Sequence, residues 1–413
     1  MSKRACIVTL GCRLNQAETA LLTDRVEKQG YTLVEPGAAD VELVIINSCA
    51  VTATAAAKSR QAVSRYRNIY PNARIIAAGC AVEADPEAFS ANPACDAALT
   101  NVDKRALDTA MAPTQARMSV DEPKTVFFEH ANGRFPFRRR ALVKIQEGCE
   151  NFCSYCIVPY TRGAERSRSA AEVLAECKEL AGQGVAEIVL TGVNTCAYSD
   201  GARGLGQLVR EIGAIPGDFR IRLSSTEPKF DNLALLDTLA ECGDKVCRFL
   251  HLSLQHGADD ILRSMNRKYT TNEYAAFAAR ARELWSGMHL GTDVIVGYPG
   301  ETEELFAESL SFIESMKFAN IHIFTFSPRA GTPAAKMPAR VPKEVARERY
   351  LRLEAVAKKS AEAFRAEQIG KTLPVIFETE KNSIITGWSD NYIEVSRPAD
   401  FAPLGVITQV LFD

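Results

Sequence analysis

Histidine is scarce in this sequence, five in 413 residues, and tryptophan is scarcer, with two. His130, His251, His256, His289 and His322 show no H-x3-H or other paired spacing, so a histidine metal centre has no local signature. Each imidazole is expected to be satisfied or exposed rather than a ligand, although His251 and Gln255 fall around a strand end and could line a site. Charge of one sign is missing too. Against 49 Lys and Arg stand 51 Asp and Glu, a net charge of −2, which excludes a chain that is basic throughout but leaves room for a local basic face. No stretch approaches the roughly 18 continuous apolar residues of a membrane-crossing helix. The start, Met1-Ser2-Lys3-Arg4-Ala5-Cys6, enters a strand-like run with no apolar core of the signal-peptide kind behind it. A Walker-type loop and a G-x-G-x-x-G that opens a helix after a strand are both lacking. A cytoplasmic chain with no membrane partner is expected.

Cysteine is what the sequence has in excess, with twelve. In a reducing compartment a chain of this size does not need disulfides, and clustered thiols point to metal binding or redox chemistry. An apolar fraction of 46% and a charged fraction of 24% are those of folded globular protein. At roughly 150 residues per domain, the length suggests about three domains.

The first segment, residues 1–111, alternates apolar runs with amphipathic stretches. Cys6 to Leu10, Val41 to Asn47 and Arg74 to Gly79 read as strands, Gln16 to Gly30 and Thr54 to Tyr70 as helices, and a weaker β–α pair lies between Ala97 and Met111. Near-continuous apolar strands separated by helices predict an open parallel α/β sheet. Residues 112–140, rich in Pro, Thr, Glu and Lys, read as a linker, with Val126-Phe127-Phe128 as an edge strand.

Residues 141–368 restart the alternation. Strands are expected at Ala141 to Gln146, Glu187 to Thr191, Arg220 to Ser224, Phe249 to Leu254, Gly291 to Val296 and Ile321 to Phe326. Six β–α units fall two short of a closed eightfold barrel, so a partial (β/α)6 barrel is expected, followed by a long charged helix from Pro342 to Gln368. In residues 369–413, four short strands with turn signals between them predict a small antiparallel β-barrel.

Two cysteine groups stand out. Cys149, Cys153 and Cys156 form a C-x3-C-x2-C loop directly after the first barrel strand, at the face where barrel active sites form. Zinc would want a fourth Cys or His, and none follows within the loop, whereas three thiolates on a 4Fe–4S cluster leave one iron open. Cys12, Cys49 and Cys80 each follow one strand of the first sheet, so all three fall at its carboxyl edge beside small or turn-forming neighbours. They could hold a second cluster; the alternative is three buried, hydrophobe-like thiols. Cys6, Cys95, Cys177, Cys196, Cys242 and Cys247 are expected to pack in cores.

The C-x3-C-x2-C loop in a partial barrel resembles the radical S-adenosylmethionine enzymes. More narrowly, Thr9-Leu10-Gly11-Cys12-Arg13-Leu14-Asn15-Gln16, Asn47-Ser48-Cys49-Ala50-Val51-Thr52 and Ala78-Gly79-Cys80 resemble the methylthiotransferase family. The likeness continues through Gly148-Cys149 to Arg168, Thr191-Gly192-Val193-Asn194, Thr292 to Thr302 and Phe326 to Pro333, and the tail around Gly387 to Val395 resembles the RNA-binding TRAM module.

This resemblance implies two 4Fe–4S clusters, on Cys149, Cys153 and Cys156 and on Cys12, Cys49 and Cys80, with S-adenosylmethionine as cosubstrate. It implies that Tyr155, Gly192, Val193 and Asn194 lie near that cosubstrate, and that Arg162, Arg166 and Arg168 meet a carboxylate or RNA phosphates unless they form a solvated basic face. It also implies tRNA as substrate, an electron donor of flavodoxin or ferredoxin type, and a monomer. The Gly11 to Thr19 segment looks most like the branch that modifies threonylcarbamoyl-adenosine. The isopentenyl-adenosine branch, a ribosomal-protein aspartate branch and a non-catalytic RNA-binding protein with structural zinc are the alternatives. Because the tail is not notably basic, RNA affinity is expected from Arg134, Arg138, Arg139 and Arg140 and from the barrel face.

Overall fold

The computed structural model describes residues 3–112, 139–201, 203–227 and 232–413. Val126-Phe127-Phe128, Arg134 and Arg138, with most of the expected linker, lie outside these residues. The chain packs as two compact units: one joins the N-terminal sheet to Glu147–Arg166 and Ser327–Thr332, and the other contains described residues 139–146, Ser167–Phe326 and Pro333–Asp413.

The first unit is built on a five-stranded sheet of β1 (Lys3–Thr9), β2 (Tyr31–Leu33), β3 (Leu43–Ser48), β4 (Arg74–Gly79) and β5 (Ala97–Leu99), ordered β2-β1-β3-β4-β5. Every pairing is parallel. All six residues of β3 are buried, as a central strand covered on both faces requires. Helices α1 (Arg13–Lys28) and α2 (Ala53–Ile69) follow β1 and β3, and Thr52 caps α2 by accepting from the Ala55 amide. The short β2 was not anticipated. With only three residues at an edge it carries too little periodicity to be read from sequence.

In the second unit six parallel strands follow one another as expected. They are β6 (Ala141–Lys144), β7 (Glu187–Thr191), β8 (Arg220–Leu223), β9 (Phe249–Leu252), β10 (His289–Val296) and β11 (Asn320–Thr325). The strand of β8 is interrupted at Ser224 and resumes at Ser225–Thr226, which pairs with β9. Among the described residues no ladder joins β6 to β11, so the barrel is open. One apolar core runs between these strands and their helices, from Val143 and Leu190 to Leu252 and Val294.

The tail strands β12 (Thr372–Lys381), β13 (Ile384–Ser389), β14 (Glu394–Pro398) and β15 (Ile407–Leu411) form an antiparallel sheet ordered β14-β13-β12-β15. It is an open half-barrel rather than a closed one. Its outer surface is fastened to the amino ends of the barrel strands by charge. Glu187 is fully buried and takes Arg220 Nε at 2.6 Å and Arg222 Nε at 2.8 Å. The spare guanidinium N–H groups donate to tail carbonyls: Arg220 to Pro374 and Trp388, and Arg222 to Ser389 and Asp390. Arg248 adds an ion pair to Asp390 at 2.6 Å. Arg140 pairs with Glu378 and Glu187, so it belongs to this fastening and not to an RNA-facing surface, contrary to expectation. The tail therefore floors the barrel at its amino ends, and the carboxyl ends, where barrel enzymes place their chemistry, are left to the loops.

Candidate functional site

Both cysteine trios lie in the first unit. Cys12 follows β1 and precedes α1, Cys49 follows β3, and Cys80 is the first residue of a short helix after β4. The topology thus brings three thiols separated by 37 and 31 residues to one sheet edge. They are close enough that each of Cys12 and Cys80 raises the Cys49 thiol, and all three are unbridged. Close approach needs Gly11: a Cβ there would lie 2.4 Å from the Cys49 Sγ, and its φ of +92° suits glycine.

Polar groups pin this edge. Asn15 Nδ2 donates to the carbonyls of Leu10 and Ser48, both at 2.8 Å, tying the Cys12 loop to the strand that ends before Cys49. Ser59 Oγ accepts from the Cys49 amide at 3.0 Å. Asn101 Nδ2 approaches the Cys80 Sγ at 3.6 Å and donates to the Thr161 carbonyl at 2.9 Å.

The C-x3-C-x2-C loop is clamped at its entry. The Cys149 amide donates to the Gly163 carbonyl at 3.1 Å, and a Cβ on Gly148 would fall 1.9 Å from the Ala164 carbonyl oxygen. Cys153 is buried and Cys149 and Cys156 are half-buried. Phe152 stands half-exposed at φ 46°, its ring packed edge-on against Tyr160. Tyr155 is half-buried within the same turn.

Arg162, six residues beyond Cys156, connects the two trios. It is buried and donates to Glu18 at 2.7 Å, Glu147 at 2.9 Å and Asn15 Oδ1 at 2.8 Å. Lys104, fully buried, pairs with the other Glu18 oxygen at 2.6 Å. Burial alone would lower the Arg162 pKa, but Cys80, Glu18 and Glu147 hold it well above its ordinary value, so the cation persists. That cation acts back on the thiols. Burial pushes Cys49 up to about 11 and also raises Cys12, whose residue surface is exposed although protein surrounds its sulfur; Arg162 opposes both shifts. The basic-face reading therefore fails for Arg162, and also for Arg168, which is buried against Glu176 at 2.6 Å. Arg166 lies 3.6 Å from Glu147.

Glu18, Lys104, Glu147 and Asn101 were not anticipated. One signal was available: Asn15, Glu18 and Leu22 follow at helical spacing on α1 and are all buried, so polar residues occupy its inward stripe. The expected packing cysteines behave as such where their thiols are perturbed. Burial pushes Cys6, Cys177, Cys196 and Cys247 up to about 12, leaving them protonated at neutral pH.

Gly192, Val193 and Asn194 follow β7 in the second unit. Gly192 makes room for Gln146, whose Oε1 would lie 2.9 Å from a Cβ there and accepts from the Asn194 amide at 3.0 Å. The Asn194 side chain accepts from the amides of Cys196 and Glu227, both at 3.2 Å, so its carbonyl oxygen orders the loop ends.

The donor set of both trios is cysteine thiol alone. Among the described residues, the trio of metal-ligating atoms that lies mutually within 4.8 Å is His251, Asp293 and His322, not either set of sulfurs. Three cysteine thiols at each site suit an iron–sulfur cluster, which is held by thiolates and with three of them keeps one iron open.

Comparison with known proteins gives the class first. Residues 143–313 match the Radical SAM superfamily and residues 4–100 match Uncharacterized protein family UPF0004. The radical S-adenosylmethionine methyltransferase TsrM of Kitasatospora setae shares the fold with a TM-score of 0.59 at 16% identity, over 81% of this chain and 75% of that one. Closer in sequence is the threonylcarbamoyladenosine tRNA methylthiotransferase MtaB of Chlamydia pneumoniae, 36% identical over 95% of this chain and 91% of that protein. The Bacillus subtilis protein of the same name is 34% identical over 97% and 92%. The tRNA-2-methylthio-N(6)-dimethylallyladenosine synthase of Ehrlichia canis is 33% identical over 96% and 94%. The chain belongs to the radical S-adenosylmethionine methylthiotransferase family. With membership come S-adenosylmethionine and 4Fe–4S clusters as cofactors. No helix among the described residues is long and apolar enough to cross a membrane.

Proposed function

We propose that this chain transfers a methylthio group to C2 of threonylcarbamoyl-modified adenosine beside the anticodon of tRNA. The observation that carries the reading is the pair of cysteine trios in one compact unit, joined by the buried Arg162–Glu18–Glu147 network. The names of the relatives from Chlamydia pneumoniae and Bacillus subtilis support the choice of nucleoside.

In this reading Cys149, Cys153 and Cys156 hold the cluster that binds S-adenosylmethionine, and Cys12, Cys49 and Cys80 hold the second. When bound, the first cluster supplies one-electron cleavage of the cosubstrate. The chain's own residues position and tune. Arg162 offsets the negative charge that accumulates on three thiolates, Asn101 offers an N–H to the Cys80 sulfur, and Gly148 lets the loop lie against the Gly163–Ala164 backbone. Tyr155, Gly192, Val193 and Asn194 line the cosubstrate. Residues 1–111 carry the second cluster, 141–368 the barrel chemistry and 369–413 the RNA contact, with 112–140 as linker. The protein works as a cytoplasmic monomer supplied with electrons by a flavodoxin- or ferredoxin-type donor.

Mass spectrometry of nucleosides from tRNA of a strain lacking this protein tests the assignment. The methylthio form of threonylcarbamoyl-adenosine should vanish and its precursor accumulate. Loss of the methylthio dimethylallyl form instead would transfer the protein to the activity named for the Ehrlichia canis relative. No change in either would refute the reading.

A further inference from the structure

The second unit contains a polar group that the proposed function does not use. Strand alternation places it. Leu250 and Leu252 of β9, Leu290, Val294 and Val296 of β10, and Ile321 and Ile323 of β11 pack into the core under the helices. Phe249 and His251, Gly291 and Asp293, and Asn320 and His322 therefore face the other side, the barrel lumen. Register aligns them: His251 sits opposite Gly291, and Asp293 opposite His322. His251 Nε2 lies 3.1 Å from Asp293 Oδ2, and His322 Nδ1 lies 3.3 Å from Asp293 Oδ1. All three ligand atoms fall within 4.8 Å of one another.

The surroundings fix the group further. Ser253 Oγ donates to Asp293 Oδ2 at 3.3 Å, and Asn320 Nδ2 lies 3.0 Å from His322 Nε2, which leaves Nδ1 as the nitrogen that faces the carboxylate. Gly291 keeps the wall open, since a Cβ there would lie 3.0 Å from His251 Nδ1. Below, Phe249 and His289 close the lumen against Tyr392 of the tail, with ring centroids 4.9 and 5.9 Å from it. The group thus stands beyond these rings on the same strands, with His251 buried and His322 half-exposed.

We propose that His251, Asp293 and His322 form a binding site for a divalent transition-metal ion of the zinc or ferrous class. Two imidazoles and one carboxylate are a borderline donor set that suits such ions and leaves further coordination positions open. Ion binding replaces the two N–H···O contacts by nitrogen–metal bonds. A proton displaced from a ligating nitrogen passes to the other ring nitrogen or to solvent, and on His322 the Asn320 amide turns its oxygen to Nε2 to receive it. The site draws on no cysteine and is independent of the clusters and of the nucleoside assignment.

The test uses the reconstituted holoenzyme dialysed against zinc under anaerobic conditions, with zinc and iron counted together. The wild type should retain one zinc per chain, and Asp293→Asn and His251→Gln/His322→Gln should lose it at unchanged iron content. Equal zinc in all three proteins, or none in the wild type, would overturn the proposal. X-ray absorption of the zinc-loaded wild type gives a reading that depends on no variant. A nitrogen and oxygen shell with imidazole scattering supports the site, and sulfur neighbours refute it.

Discussion

The two units each bury a cluster of charge, and the clusters differ in what satisfies them. In the barrel unit one carboxylate, Glu187, receives Arg220 and Arg222, and the remaining N–H groups end on backbone carbonyls of the tail. In the N-terminal unit Arg162 is shared by Glu18, Glu147 and Asn15, and its field reaches the thiols of Cys80, Cys12 and Cys49. The first cluster is closed on itself and holds two pieces of chain together. The second leaves charge to act on neighbours that can be oxidised, reduced or metallated. Burial of ions is costly in both, and only the partners show whether the cost serves docking or chemistry.

Breaking the docking cluster should have the larger effect on stability. Burial would raise the Glu187 pKa, yet Arg222 and Arg220 hold it well below the usual carboxylate range, so it is charged at any working pH. Glu187→Gln strands buried guanidinium groups and should cost about 3–5 kcal/mol. Thermal melting should register this, and hydrogen exchange should show lost protection across β12 and β13. Iron content should not change.

Arg162→Met should do the reverse. Stability falls by about 2 kcal/mol, the scale of charged hydrogen bonds lost, because Lys104 still pairs with Glu18. The iron retained by the Cys12, Cys49 and Cys80 trio should fall, or its reduction potential should drop on loss of a neighbouring cation. Iron analysis and a redox titration followed by electron paramagnetic resonance read these effects. A variant that loosened the tail and left the iron unaltered would erase the distinction between the clusters.

Acid should separate the units more gently. Burial, with Arg222 adding, pushes His289 down to about 3 from an ordinary 6.5. The unfolded chain therefore binds this proton between those values and the folded chain does not, so stability is full above pH 6.5 and declines as pH falls toward 3. Between pH 6.5 and 5 the loss should be about 2 kcal/mol. Melting at the two pH values checks it, and His289→Phe should flatten the slope. The smallest effect is expected for Cys177→Ala, which should leave iron content and S-adenosylmethionine cleavage intact, whereas Cys153→Ala should abolish cleavage.

Legibility in the sequence followed the range of each signal. Strands β6 to β11 were readable because each is a short apolar run bounded by turns, and their order follows from chain order in a parallel barrel. The positions of the cysteine trios were readable because one is local and the other recurs at the ends of strands of one parallel sheet. The Arg162 network was not, since its members come from positions 18, 104, 147 and 162 and meet only through the fold. The same holds for His251, Asp293 and His322, which come from three strands and have no local spacing. Arg140 misled because an arginine beside a flexible-looking stretch reads as exposed, while its partner Glu378 lies 238 residues away.

Iron and acid-labile sulfide, counted after anaerobic reconstitution of the wild type and of two triple-alanine variants, test the central claim most directly. The account predicts about eight irons per wild-type chain and about four in each variant, one lacking Cys12, Cys49 and Cys80 and the other Cys149, Cys153 and Cys156. Zinc without iron in the wild type, or an iron count that either variant leaves unchanged, would contradict it.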